Sequence, residues 1–73
     1  MAQDPHTHPW QLLVAFKDGD EMKDTALRFR SGGPASDAFS FLQEVEPVLC
    51  LHLLDPQGRE WMHWDRPAKE AVA

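Results

Sequence analysis

Four histidines and one cysteine are the residues of this chain that could bind a transition metal, because imidazole and thiolate are donors that such ions prefer. His6 and His8 would point to the same side of an extended segment, but they stand in a proline-containing stretch without a hydrophobic period. In the strand register predicted below, His52 and His63 fall on opposite faces of the sheet. No Cys and His spacing is typical of a zinc motif, so the sequence predicts no metal site and no cofactor.

Candidate nucleophiles are equally few. Cys50 would need a neighbouring base and an exposed, electropositive setting. Its neighbours Leu49 and Leu51 are instead typical of a small apolar residue in a core. Ser36 and Ser40 lie in or beside a predicted helix, without the glycine-flanked turn of a nucleophile elbow. We therefore expect no catalytic residue and a protein that is not an enzyme.

Two arginines before a glycine-rich loop form a candidate anion site. Arg28 and Arg30 project from one side of a predicted strand, and the loop of Ser31, Gly32 and Gly33 could present backbone N–H groups to an anion. The loop lacks the lysine and the spacing of a P-loop. Twelve acidic and seven basic residues give a net charge of −5, which repels nucleic acid and anionic membranes. An anion- or nucleic-acid-binding module, or an acidic mimic of nucleic acid, is therefore the alternative function, and nucleic acid is an unfavoured partner.

The first half of the chain predicts a β-hairpin. Large apolar residues alternate from Trp10 to Phe16 with the two-residue period of a strand that buries one face. Asp18 and Gly19 follow as a dipeptide typical of tight hairpin turns, and a two-residue turn there sets Phe16 opposite Glu21. The turn end then pairs poorly, so we expect the first residues of the second strand to fray or to twist away from the core; a longer loop with a shifted register is the alternative. The two strands are expected over residues 10–16 and 22–30.

One amphipathic helix is predicted over residues 35–46. Apolar residues recur there at spacings of three and four. Pro34 is tolerated in a first helical turn, and Pro47 ends the helix. The expected apolar stripe consists of Ala38, Phe41, Leu42 and Val45, with Phe39 at its margin.

A second hairpin follows, around the turn signal Asp55-Pro56-Gln57-Gly58. A type I turn with a bulge at Gly58 places Leu53 opposite Trp61 and His52 opposite Met62. In this register both faces of the hairpin are largely apolar, yet one short helix covers only one face of a sheet. We expect the uncovered face to be an interface. Its predicted anchors are Leu54, Trp61, Met62 and Trp64.

Length and composition predict one folded domain. With 73 residues, of which 42% are hydrophobic, the chain forms a single domain that we place at residues 10–64, between flexible tails at residues 1–9 and 65–73. Its apolar runs are too short to span a membrane. The lone cysteine cannot form an internal disulfide, and no segment resembles a signal peptide, so we expect a cytoplasmic protein.

The predicted order β-β-α-β-β belongs to the α+β class, with antiparallel hairpins and one helix packed on one sheet face. This order resembles that of small β-grasp domains such as ubiquitin-like folds and the immunoglobulin-binding bacterial domains. The resemblance implies that the first and last strands lie parallel in the middle of the sheet; a simple meander with an inserted helix is the alternative. The expected function is that of a small protein-binding, regulatory or accessory module, whose partner is another protein or a second copy of itself.

Overall fold

The computed structural model describes residues 6–67 and shows one four-stranded antiparallel sheet with one helix, which confirms the α+β class. Residues 1–5 and 68–73, which make up most of the two predicted tails, lie outside the described residues. No helix within residues 6–67 has the length and apolar character needed to cross a membrane. The elements are β1 (Trp10–Asp18), β2 (Glu21–Phe29), α1 (Gly32–Leu42), β3 (Val48–Leu54) and β4 (Glu60–Asp65).

The strand order is β2-β1-β3-β4, and every neighbouring pair is antiparallel. This order differs from the parallel central pair of a β-grasp domain and from a sequential meander, because β1 pairs with both β2 and β3. The two most apolar strands, β1 and β3, thereby take the centre of the sheet, where neighbours on both sides and α1 remove them from water. The helix connects β2 to β3 and so carries the chain across β1.

The first hairpin turns at Gly19 and Asp20, one residue later than predicted. Asp18 pairs with Glu21, and Gly19 adopts the positive φ of 65° that the turn requires. The predicted register is therefore wrong by two residues, and Phe16 faces Lys23 instead of Glu21. The expected fraying of the second strand is also wrong, since β2 pairs regularly with β1 from its first residue, but the first seven residues of β2 are exposed, as expected of a segment that lies away from the core. The new register places apolar residues opposite one another, with Trp10 facing Phe29 and Leu12 facing Leu27.

The helix packs Ala35 and Phe39 into the core, one turn apart on the same side. It begins after the N-cap residue Ser31 and ends at Leu42, because the next N–H groups bond to carbonyls three residues back and tighten the chain into turns. Phe41, predicted in the apolar stripe, is instead 66% exposed, since it lies about 200° around the helix from Phe39. The buried apolar residues of the described chain are Leu12, Val14, Ala35, Phe39, Val48, Leu51 and Leu53.

The turn of the second hairpin forms as predicted. Gly58 has a φ of 83°, and the Asp55 carbonyl accepts the Gly58 N–H at 2.9 Å. The Asp55 carboxylate also accepts the N–H groups of Gln57 at 3.0 Å and of Arg59 at 2.9 Å. These bonds close an Asx-type turn, which is the reason Asp is favoured at the first turn position.

Beyond the turn, the register of the second hairpin differs from the prediction. Leu54 faces Glu60 as expected, but Leu53 faces Met62, so Trp61 is an extra residue in a β-bulge. A one-residue slip moves each following side chain to the other face of the sheet. His63 consequently faces His52. Met62 and Trp64, predicted on the uncovered face, pack against the core with Leu51 and Leu53.

The chain after β4 is held against the end of the helix by Arg66. Its Nε donates to the carbonyl of Val48 at 2.9 Å, and its Nη2 donates to the carbonyls of Val45 at 2.9 Å and Gln43 at 3.4 Å. The guanidinium also lies 5.0 Å from the centre of the Trp64 ring. The first residues of the predicted C-terminal tail, Asp65 in β4 and Arg66, are therefore part of the ordered domain.

Candidate functional site

The sheet face opposite α1 carries a cluster of four side chains that can bind metals or protons. Cys50 and His52 alternate along β3, and His63 and Asp65 alternate along β4, so each pair points to one face. The register sets His52 opposite His63 and Cys50 opposite Asp65. The two imidazole rings stack with their centres 4.4 Å apart and their planes 10° apart. We call these four residues the open-face cluster.

Hydrogen bonds connect the open-face cluster and fix the orientation of its rings. The Cys50 Sγ lies 3.1 Å from His52 Nε2, and the Glu60 carboxylate lies 2.6 Å from His52 Nδ1. A carboxylate accepts hydrogen bonds, so we assign the ring proton to Nδ1, which leaves Nε2 unprotonated, with its lone pair beside the Cys50 sulfur. On the other strand, His63 Nε2 lies 2.9 Å from the Asp65 carboxylate.

The electrostatic setting of Cys50 is acidic. Partial burial, the hydrogen bond to Asp65 and the negative charges of Asp65 and Glu60 together raise the pKa of the Cys50 thiol to about 11, with burial as the largest cause. Asp65 accepts hydrogen bonds from Cys50 and from His63, and both lower the pKa of that carboxyl, the bond from Cys50 more strongly. At neutral pH the thiol is therefore protonated, and Asp65 carries a negative charge.

The acidic setting of Cys50 decides between two chemistries that the geometry of the cluster alone would permit. Cys50, His52 and Glu60 stand in the order of a nucleophile, a base and a group that orients the base. A nucleophilic cysteine, however, needs an electropositive setting that lowers its pKa, and Cys50 has the opposite. Carboxylates around a thiol and two imidazoles attract a cation instead. The cluster is therefore suited to bind a positively charged ligand.

The structure separates the four predicted interface residues. Met62 and Trp64 are half-buried against the core. Leu54 is also half-buried and pairs with Glu60 on the neighbouring strand. Trp61 alone of the four is a largely exposed apolar side chain, at 56%. Its ring contacts Trp10 edge-on, with the centres 5.0 Å apart at an angle of 71°. The bulge is thus what brings Trp61 to the surface at the outer strand of the sheet.

The predicted anion-binding residues lie in different local environments. Arg28 is half-buried and donates to the carbonyl of His8 at 3.5 Å, whereas Arg30 is exposed. Ser31 is the N-cap but makes no side-chain capping bond. The Trp10 ring approaches the loop, and a Cβ on Gly32 would lie 3.1 Å from it. The first turn of the helix is therefore covered in part by an aromatic side chain.

Sequence reasoning missed the open-face cluster because it placed His52 and His63 on opposite faces. Two signals for it were present in the sequence, the alternate spacing of Cys50 with His52 and that of His63 with Asp65. Each signal predicts a pair on one strand. Only the bulge at Trp61, which changes the register, brings the two pairs together.

No pocket is found within residues 6–67. The chain matches none of the protein families, curated proteins or solved structures with which it was compared.

Proposed function

We propose that this chain is a non-enzymatic protein-binding module that acts as a homodimer, with Trp61 at the centre of its interface. The observation that carries the proposal is a tryptophan that is 56% exposed on an outer strand of the sheet. Tryptophan is enriched among the residues that contribute most to protein interfaces. We infer a small accessory role in the cytoplasm, where a single free cysteine such as Cys50 stays reduced.

The contact with Trp10 prepares Trp61 for binding. Two aromatic rings in an edge-on contact restrict each other, so Trp61 loses little side-chain freedom when a partner covers it. A tryptophan side chain exposes roughly 200 Å², and burying about half of it at ~25 cal/mol per Å² contributes about 2.5 kcal/mol. In a symmetric dimer this contribution arises twice.

A second copy of the chain suits this surface better than an unrelated partner. β4 is an outer strand with one unpaired edge, and an antiparallel pair of identical strands has the twofold symmetry of a dimer. The described chain buries seven apolar side chains, a small core for a domain near the lower size limit of independent folding. Association would add the apolar burial that such a domain lacks.

Sedimentation equilibrium across the micromolar to millimolar range tests the proposal. We expect a dimer whose dissociation constant rises at least about 100-fold in Trp61→Ser, because two buried indoles are lost. Phe41→Ser is the matched control, since Phe41 is just as exposed but lies on the helix. The control should dimerise like the unchanged protein, and the dimer should persist in about 0.5 M NaCl because apolar contacts are not screened by salt.

Two outcomes would overturn the proposal. A protein that stays monomeric at millimolar concentration is not a homodimer. Equal weakening by Trp61→Ser and Phe41→Ser would show that general surface apolarity, and not the Trp61 contact, drives association. Circular dichroism of each variant establishes that the fold is retained.

A further inference from the structure

We propose that Cys50, His52 and His63, with Asp65 as the fourth donor, bind a divalent transition metal ion with the preferences of zinc. The donor atoms of the first three residues all lie within 4.8 Å of one another. The Asp65 carboxylate reaches both His63 and the Cys50 thiol. This site goes beyond the proposed function, because it lies on the sheet face opposite the helix, whereas Trp61 contacts Trp10 on the helix side.

The spacing of the donors is close to what a tetrahedral ion needs. Zinc bonds of ~2.3 Å to sulfur and ~2.0 Å to nitrogen place the donors of a tetrahedral site about 3.3–3.6 Å apart. The Cys50 Sγ and His52 Nε2 atoms are already 3.1 Å apart. The widest donor pair must therefore close by at most about 1.2–1.5 Å, the difference between 4.8 Å and the tetrahedral spacing, which side-chain rotation supplies.

His63 is the residue that must move. Its ring is stacked on His52 with the planes 10° apart, so the nitrogen lone pairs of the two rings lie in nearly parallel planes and do not converge on one point between the rings. The His63 side chain is exposed and can turn about its Cα–Cβ bond without displacing the core. In turning, His63 Nε2 gives up its hydrogen bond to Asp65, its ring proton moves to Nδ1, and the Cys50 thiol releases its proton to solvent as the ion binds. The Asp65 carboxylate, freed from Nε2, is then available as the fourth donor.

Glu60 supplies the outer support that protein metal sites typically contain. A histidine ligand usually donates its second ring N–H to a carboxylate or carbonyl, which orients the ring and strengthens its donor nitrogen. The bond of 2.6 Å between His52 Nδ1 and Glu60 has this geometry, and it directs Nε2 toward Cys50. This contact exists independently of the three donors.

The donor types and the local charge determine which ion fits. A thiolate, two imidazoles and one carboxylate suit Zn²⁺ and Co²⁺, whereas Mg²⁺ and Ca²⁺ require sets of oxygen donors. The carboxylates of Asp65 and Glu60 favour a dication at this position. We therefore expect Zn²⁺ and Co²⁺ to compete for one site and an excess of Mg²⁺ or Ca²⁺ to leave it unaffected.

The experiment is a Co²⁺ titration of the full chain, reduced with a phosphine that does not bind the metal, followed by displacement with Zn²⁺. The readouts are the thiolate-to-cobalt charge-transfer absorption, the intense visible bands of tetrahedral Co²⁺, and the Zn²⁺ stoichiometry from calorimetry. We expect one ion per chain and charge-transfer absorption that Zn²⁺ removes.

Four variants give the test its resolution. Cys50→Ser should abolish the charge-transfer absorption, and Glu60→Gln should weaken binding about 10–100-fold while the absorption keeps its shape, as loss of an outer-shell partner does. The double variant His6→Gln/His8→Gln is the matched control, because it removes the other two histidines and should bind as the unchanged chain does. Trp61→Ser should also bind unchanged, which separates this proposal from the dimer.

The proposal is overturned by any of three results. These are the absence of Co²⁺ and Zn²⁺ binding at submillimolar protein, binding without thiolate charge transfer, and loss of binding in the His6→Gln/His8→Gln control. Circular dichroism shows whether Cys50→Ser has kept its fold, and Glu60→Gln provides the answer if it has not.

Discussion

Arg66→Ala is the substitution whose effect on stability the structure predicts most directly. The guanidinium of Arg66 joins three carbonyls in the connection from the helix to β3, those of Gln43, Val45 and Val48. The same group lies over the Trp64 ring. A single side chain thus fastens the end of β4 to the end of α1.

The magnitude follows from these contacts. Hydrogen bonds from a charged donor contribute about 1.5–3 kcal/mol each when they are buried, but the Arg66 carbonyl partners are only partly buried and water can replace some of the loss. The bond of 3.4 Å is weak, so two bonds dominate. The contact with Trp64 adds about 0.5–1 kcal/mol. We expect Arg66→Ala to lower the free energy of unfolding by about 2–4 kcal/mol.

The assay is urea unfolding followed by circular dichroism at one fixed protein concentration. Arg66→Lys should recover less than half of the loss, because an ammonium lacks the planar fork that reaches two carbonyls at once. Arg59→Ala is the control, since Arg59 is 77% exposed and stands 3.4 Å from Asp55. It should cost below about 1 kcal/mol. If Arg66→Ala cost no more than Arg59→Ala, or if Arg66→Lys were as stable as the unchanged protein, the reasoning would be refuted.

Three further predictions concern the core, the glycines and acid stability. Leu51→Ala should lower the free energy of unfolding by about 2–5 kcal/mol, measured by urea unfolding, because Leu51 is completely buried; a loss below about 1 kcal/mol would contradict its place in the core. Gly33→Ala should raise the melting temperature, since open space surrounds Gly33 in the helix. Gly58→Ala should lower the melting temperature, because alanine is strained at the positive φ of this position. Equal shifts of the two melting temperatures would contradict this prediction. The hydrogen bond from the Arg59 N–H lowers the pKa of Asp55 in the folded protein. The stability that ionised Asp55 contributes is therefore complete above the ordinary Asp pKa of about 3.9, and it is lost as the pH falls toward the lower pKa of the folded state. The pH dependence of urea unfolding below about pH 4 should therefore be shallower in Asp55→Asn, and an unchanged slope would refute this assignment.

The sequence by itself determined the local elements of this protein. The alternation beginning at Trp10, the helical spacing of the apolar residues and the Asp55 turn each act over a few residues, so their patterns predict two hairpins and one helix in the correct order. The positive φ of Gly58 and the pairing of Leu54 with Glu60 follow from that turn. The class of the fold was therefore accessible without coordinates.

The tertiary structure alone decided the registers, the strand order and the composition of the two sheet faces. β4 carries apolar residues at both odd and even positions, Trp61 and Met62 among them. The two-residue period of the strand therefore cannot decide whether the odd or the even positions face the core. Packing chooses, because Met62 and Trp64 pack against the core beside Leu51 and Leu53, and Trp61 becomes the extra residue of the bulge. That one extra residue exposes Trp61 and sets His63 beside His52. Both proposed sites therefore depend on a long-range packing preference that no short segment of the sequence encodes.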